Sequence, residues 1–205
     1  MLATDVLAFV RAALPTPPAR VLEIGAGRGE LAAALRAADY EVTAIDPAAA
    51  EATGVKPAAL LDVSGAFDAA VAVVSLHHVQ PLVESCAHLA TLIRPSGRLV
   101  IDELDAARFD ERAAQWWLSQ RQAAAMTEEH DPRSLVAFLR GHVHPLDQIR
   151  DALEPHFELG APVPGSYLHR WNLEPGLRHA EENLIASGDL PAIGARMIGV
   201  RRATR

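Results

Sequence analysis

Apolar residues at helical spacing open the chain. Val6, Phe9, Val10 and Ala13, with Thr4 or Asp5 placed to cap them and Pro15–Pro18 to stop them, predict a helix over 4–14. From Arg20 the period changes, and short apolar runs alternate with amphipathic stretches. The pattern predicts a strand at Val21–Ile24, a helix at Leu31–Ala38, a strand at Val42–Ile45 and a short helical piece near Ala48–Thr53. Strands at Ala58–Leu61, Asp68–Val74 and Arg98–Ile101 follow, with a helix from about Leu82 to Ile93 and a turn at Pro95-Ser96-Gly97.

Alternation of this kind predicts an α/β fold with a doubly wound, Rossmann-like, mostly parallel sheet. After Asp105 the alternation stops. Residues 108–140 read as two helices around the polar stretch Thr127–Asp131, a helical insertion or lid. A helix over 146–154, a strand at Phe157–Leu159, a helix over Pro175–Ser187 stopped by Gly188, and a strand at Arg196–Val200 complete seven expected strands. A length of 205 residues fits one domain, divided into a half over 20–104, the helical insertion over 108–154 and a closing segment over 155–205.

Half of the residues are hydrophobic and 22% are charged, as in globular proteins and unlike disordered ones. The net charge of -7 supplies no basic field for a nucleic-acid backbone, so no nucleic-acid partner is expected. All but Lys56 of the 19 basic residues are arginine, and alanine runs recur, which reads as the coding bias of a GC-rich bacterial genome. Cys86 is the only cysteine, which excludes an intramolecular disulfide and a thiolate zinc cluster and suits a reducing interior. No signal-like or membrane-spanning run is apparent, so a cytoplasmic protein without a membrane partner is expected.

The candidate chemistry begins at Gly25-Ala26-Gly27-Arg28-Gly29, which follows a strand and opens a helix. Backbone N–H groups and the positive helix end converge there, where glycines allow a ligand close to the chain. A dinucleotide fingerprint needs its third glycine at position 30, and Glu30 stands there instead, opposing a pyrophosphate. A sulfonium cofactor with an amino-acid tail carries no phosphate and tolerates acidic neighbours, which suits Glu23. Asp46 ends the second strand, where a carboxylate can accept hydrogen bonds from both hydroxyls of a ribose.

With these residues in view, 20–104 resembles the cofactor half of the class I S-adenosylmethionine-dependent methyltransferases. The acidic-x-Gly-x-Gly-x-Gly motif of that family matches Glu23–Gly29, and its ribose carboxylate matches Asp46. The resemblance implies S-adenosylmethionine as cofactor, held by Glu23, Gly25, Ala26, Gly27, Asp46, Pro47, Ser75 and Leu76. It implies an adenine contact at Asp62 and Val63. Phe67-Asp68 with Ser75-Leu76-His77-His78 resembles the fourth-strand motif, and Pro95-Ser96-Gly97 stands where the family has Pro-Gly-Gly. The implied activity is methyl transfer to an oxygen, nitrogen or carbon of a small-molecule acceptor. A non-catalytic cofactor-binding protein or a nicotinamide-dependent oxidoreductase is the alternative.

His78 and His169 are the candidate bases, since an imidazole can take a proton near neutrality. Trp116, Tyr167 and Arg170 are candidate acceptor contacts: neighbouring Trp116 and Trp117 cannot both face the core, and Tyr167–Trp171 gathers aromatic, basic and titratable groups. His142-x-His144 lacks a third ligand, and no metal is expected.

Overall fold

The computed structural model describes residues 4–50, 54–124, 131–173 and 176–203. Helix α1 (Thr4–Ala13) leads into β1 (Arg20–Ile24), α2 (Glu30–Arg36), β2 (Glu41–Ile45), β3 (Phe67–Val73), α3 (Leu82–Leu92) and β4 (Ile93–Leu104). Helices α4 (Glu111–Ala123), α5 (Pro132–His142) and α6 (Leu146–Leu153) follow. The short strands β5 (Phe157–Leu159) and β6 (Val163–Gly165), then α7 (Arg178–Ser187) and β7 (Gly194–Arg201), close the chain.

The sheet runs in the order β2-β1-β3-β4-β7-β5, with β6 also paired to β7. β2, β1, β3 and β4 pair in parallel, and β7 is antiparallel to β4, β5 and β6. Every strand except β7 therefore points the same way, so the sheet is mixed and mostly parallel in direction.

Alternation along each strand sorts side chains between two apolar layers. Leu22, Ile24, Ala70, Ala72, Leu99 and Ile101 pack with α3 and α6, while Val21, Ala69, Val71 and Val100 pack with α1 and α2. A third layer, including Phe109, Trp117, Leu118, Leu139, Tyr167 and Leu168, joins α4 and α5 to the end of β4 at Leu104.

The same alternation places two adjacent acids on opposite faces. Asp102 shares its face with Val100 and is 1% exposed, held by Arg170 and Arg196, and Arg196 also bonds Asp5 of α1. Burial raises the pKa of Asp5, but Arg196, Arg178 and Arg170 outweigh it and hold the carboxyl below its ordinary value.

Three expectations are corrected. Ala58–Leu61 is not a strand. Among the described residues, the side of β2 away from β1 carries one parallel bridge, Ile45 to Lys56, and the chain turns at Leu60–Asp62. Pro57 has no N–H to continue a ladder and the following alanines offer little to a pleated surface. The segment at 46–49 is a turn closed by the Ala49 N–H on the Asp46 carbonyl, and Glu51–Thr53 lie outside the described residues. β6 was not expected, since Val163-Pro164-Gly165 reads as a loop, and it forms as a short edge strand on β7.

Helix α7 spans Arg178–Ser187, and Pro175, where the helix was expected to begin, lies outside the described residues. The turn at 94–97 is present as a jump in pairing, from Phe67 with Ile93 to Ala69 with Arg98. Of the polar stretch before α5, Asp131 caps the helix by accepting from Arg133 and Ser134, and Thr127–His130 lie outside the described residues. Among the described residues no helix is long and apolar enough to cross a membrane.

Candidate active site

The C-terminal ends of β1, β2 and β3 meet around a cavity of about 460 Å³, the edge at which open α/β sheets take ligands. Its walls include Gly25, Asp46, Pro47, Ala48, Ser75 and His78, with Ala58–Leu60 and Val79–Gln80 completing them. The volume and mainly apolar walls suit a nucleoside-sized ligand.

The glycine loop is forced by its neighbours. Gly25 has φ +68°, and a Cβ built there would lie 2.3 Å from Cβ of Ser75. Ser75 in turn donates from Oγ to the Ile24 carbonyl at 2.7 Å, tying the end of β3 to the end of β1. Gly27 has φ +52° with nothing near its Cβ position, so its freedom serves the turn and leaves the loop open on that side. Replacing Gly25 with Ala is expected to combine a left-handed backbone with a clash. The cost is about 2 kcal/mol or more of stability, together with cofactor affinity, measurable by thermal melts and titration calorimetry.

Asp46 is held by two backbone amides. Gly27 donates to its Oδ2 and Ala48 to its Oδ1, both at 2.8 Å. Each oxygen keeps a lone pair, so the carboxylate stands in the cavity wall with two acceptor sites for a diol.

Glu23 borders an adjoining hollow that shares Gly25 with the cavity. It lies on the α2 face of β1, 4% exposed, and lines this hollow of about 250 Å³ with Gly25, Ala26, Arg28, Glu30, Leu31 and Val73. Its Oε2 is buried without a hydrogen-bond partner. Burial pushes its pKa from 4.5 to about 7, against a smaller opposing pull from Arg36 and the Ala32 amide.

His78 is the titratable side chain in the cavity wall besides Asp46. Burial, then His77 and also His144, lower its pKa, with Glu103 opposing, which favours the neutral imidazole. The His144 amide donates to the His77 carbonyl at 2.9 Å, and its Nε2 lies 3.1 Å from the Val79 carbonyl. The α5–α6 connection is thereby fastened to the cavity wall. His142 instead bonds and stacks on Phe138 of its own helix, so the two histidines diverge.

Other sequence candidates sit elsewhere. Asp62 is exposed and accepts from Ala59, and Val63 is buried with its carbonyl bonded to His88; neither lines the cavity, where Ala58–Leu60 stand instead. Leu76 is core. Trp116 is half-buried against the third apolar layer, beneath which Trp117 donates to the Trp171 carbonyl. Tyr167 is buried, which raises its pKa. Arg170 grips Asp102, and His169 is bonded through Nδ1 to Glu181 with its Nε2 buried and unpartnered. None of these four borders the large cavity.

Sequence reasoning passed over Gln80, Ala48 and above all Glu103, which is fully buried behind the 75–78 turn. Its signal was two acids, Asp102-Glu103, directly after the apolar run Leu99–Ile101.

Fold and loop together define a nucleoside-cofactor protein of the class I methyltransferase architecture. The family model described as methyltransferase domain matches residues 2–142, and the chain belongs to that family. Among solved structures it is similar to 1,6-didemethyltoxoflavin-N1-methyltransferase of Burkholderia thailandensis with bound 1,6-didemethyltoxoflavin and S-adenosylhomocysteine. The identity is 16% and the TM-score 0.55, over 98% of this chain and 78% of that one.

It is similar too to the N-methyltransferase NodS of Bradyrhizobium japonicum in complex with S-adenosylhomocysteine, at 15% identity and TM-score 0.59 over 98% and 87% of the chains. An S-adenosylmethionine-dependent methyltransferase of Mesorhizobium loti matches at 17% identity and TM-score 0.60, over 96% of both chains. No curated protein matches the chain by sequence. By family the protein is a methyltransferase, and its fold is that of the S-adenosylmethionine-dependent methyltransferases it is similar to.

Proposed function

We propose that the protein methylates a small-molecule acceptor and holds its cofactor between the glycine loop and the Ser75–Gln80 wall. The observation that carries this reading is the bond from the Gly27 amide of the glycine loop to Asp46, with Gly25 and Asp46 both lining one cavity. Asp46 would take the ribose hydroxyls, and Ala58–Leu60 with Pro47 would flank the base. Glu23, with its unpartnered oxygen, would face the ammonium group of the amino-acid tail.

Bound S-adenosylmethionine supplies a methyl group activated by its sulfonium. The chain's own task is then alignment and exclusion of water, effects worth about 7 kcal/mol or more. Where the acceptor atom carries a proton, neutral His78 is the group in the cavity wall able to take it. The net negative charge and the relative with a small molecule bound beside S-adenosylhomocysteine support a small acceptor.

Calorimetric titration with S-adenosylhomocysteine tests the reading, and absence of binding would falsify it. Asp46→Ala is expected to weaken that binding about 10- to 100-fold, the effect of losing hydrogen bonds to a charged group. Transfer of labelled methyl from the donor into a metabolite extract separates an enzyme from a protein that only binds the cofactor.

A further inference from the structure

Four donors converge on the carboxyl group of Glu103, which is 0% exposed. Oε1 accepts the N–H groups of Ser75 at 2.8 Å and Leu76 at 2.7 Å. Oε2 accepts from Nδ1 of His77 at 2.7 Å and from the Leu104 amide at 3.2 Å. A buried carboxyl is costly unless donors surround it, and three of these four come from one turn, so the residue and the turn specify each other.

We propose that Glu103 is a positioning residue for cofactor binding: by fixing the Ser75–His78 turn it sets the cavity wall against the glycine loop. The inference rests on the methyl-transfer reading above. Ser75 occupies the space a Gly25 side chain would need and bonds Ile24, so the placement of the turn fixes the separation of loop and wall. His78, Val79 and Gln80 continue directly from the clamped residues and line the cavity.

The same device recurs away from the cavity. Glu181, also 0% exposed, accepts the N–H groups of Tyr167, Leu168 and His169 at 2.7, 2.8 and 2.8 Å, and Nδ1 of His169 at 2.7 Å. Burial opposes ionisation of Glu181, but these hydrogen bonds outweigh it and hold its pKa below the ordinary value. Two turns of the form x-Leu-His are thus each closed by a glutamate from a later element. Neither Glu181 nor the turn it closes lines the cofactor cavity, which makes it an internal control.

In Glu103→Gln the volume is kept, but an NH2 group faces one pair of donors whichever way the amide lies. It is expected to face His77 and Leu104, since the other orientation would strip both the Ser75 and Leu76 amides of their acceptor; the longer Leu104 bond is then lost and Nδ1 of His77 becomes the acceptor. The test compares wild type, E103Q and E181Q by calorimetry with S-adenosylhomocysteine, at a temperature where circular dichroism shows all three folded. Nitrogen NMR of His77 is read alongside.

Affinity is expected to fall about tenfold in E103Q. E181Q should bind as wild type does, and His77 should move from the Nδ1-protonated to the Nε2-protonated tautomer only in E103Q. Wild-type affinity in E103Q, or equal losses in both variants, would overturn the proposal. Should E103Q not fold, His77→Asn, whose amide can replace the Nδ1 donor, is expected to keep the affinity that His77→Leu loses; equal affinities would be the overturning result. A wild type that binds no S-adenosylhomocysteine sinks the methyl-transfer reading instead.

Discussion

Raising the pH is expected to tighten cofactor binding while weakening the fold, with Glu23 responsible for both. In the native protein this carboxyl titrates at about 7 because burial disfavours its charge, whereas its ordinary value is 4.5. Between those values the native state holds a proton that the unfolded chain has released, so stability falls as pH rises across this window. Below pH 4.5 both states are protonated and no penalty applies; above about 7 it is complete, on the order of 3 kcal/mol for a shift of this size.

The ammonium group of the cofactor's amino-acid tail pairs best with the ionised carboxylate, so affinity should rise over the upper part of the same window. Glu23→Gln removes both dependences. Denaturant melts from pH 5 to 8 should show a slope in wild type that the variant lacks, and the variant should bind S-adenosylhomocysteine weakly at every pH. A wild type and variant with parallel stability profiles would exclude this account of Glu23.

A larger loss of stability is expected at Asp102. This carboxyl is 1% exposed and is shared by Arg170, through contacts of 2.6 and 3.3 Å, and Arg196 at 2.8 Å. Through Arg196 it reaches Asp5 of α1, and through Arg178 the same aspartate is tied to α7 and Glu182. Asp102→Ala leaves the largely buried guanidinium of Arg170 without its acid and Arg196 with Asp5 alone, a change that costs about 3–5 kcal/mol when one partner of a buried pair is removed.

In a chain of this size that corresponds to a melting temperature lower by roughly 10 °C. Because desolvation of the ions is itself expensive, the double variant Asp102→Leu with Arg170→Leu should recover part of the loss. No recovery would mean that the network contributes more than mutual charge compensation.

The two acids at the end of β4 show where sequence reading stops. Local pattern determined much of the molecule: periodicity located the helices and most of the strands, and Gly25, Gly27 and Asp46 stood out because turn geometry and a strand-end carboxylate depend on neighbours in sequence. The cofactor class followed from Glu30, since a carboxylate in place of a glycine opposes a phosphate. The failed strand at Ala58–Leu61 was locally signalled by Pro57, but its loss also depended on how little of the edge beyond β2 the chain could pair.

Tertiary structure alone decided the rest. Asp102 and Glu103 read alike as a polar pair, and strand alternation gives one to an arginine network on the α1 face and the other to a turn on the α3 face. His77 and His78 read alike too, and the turn buries one against Glu103 while placing the other on the cavity wall. Arg170 and His169 read as a wall for an acceptor, yet Asp102 and Glu181, distant in sequence, claim them. Charge pairing and desolvation act through space, so only the folded chain assigns those partners.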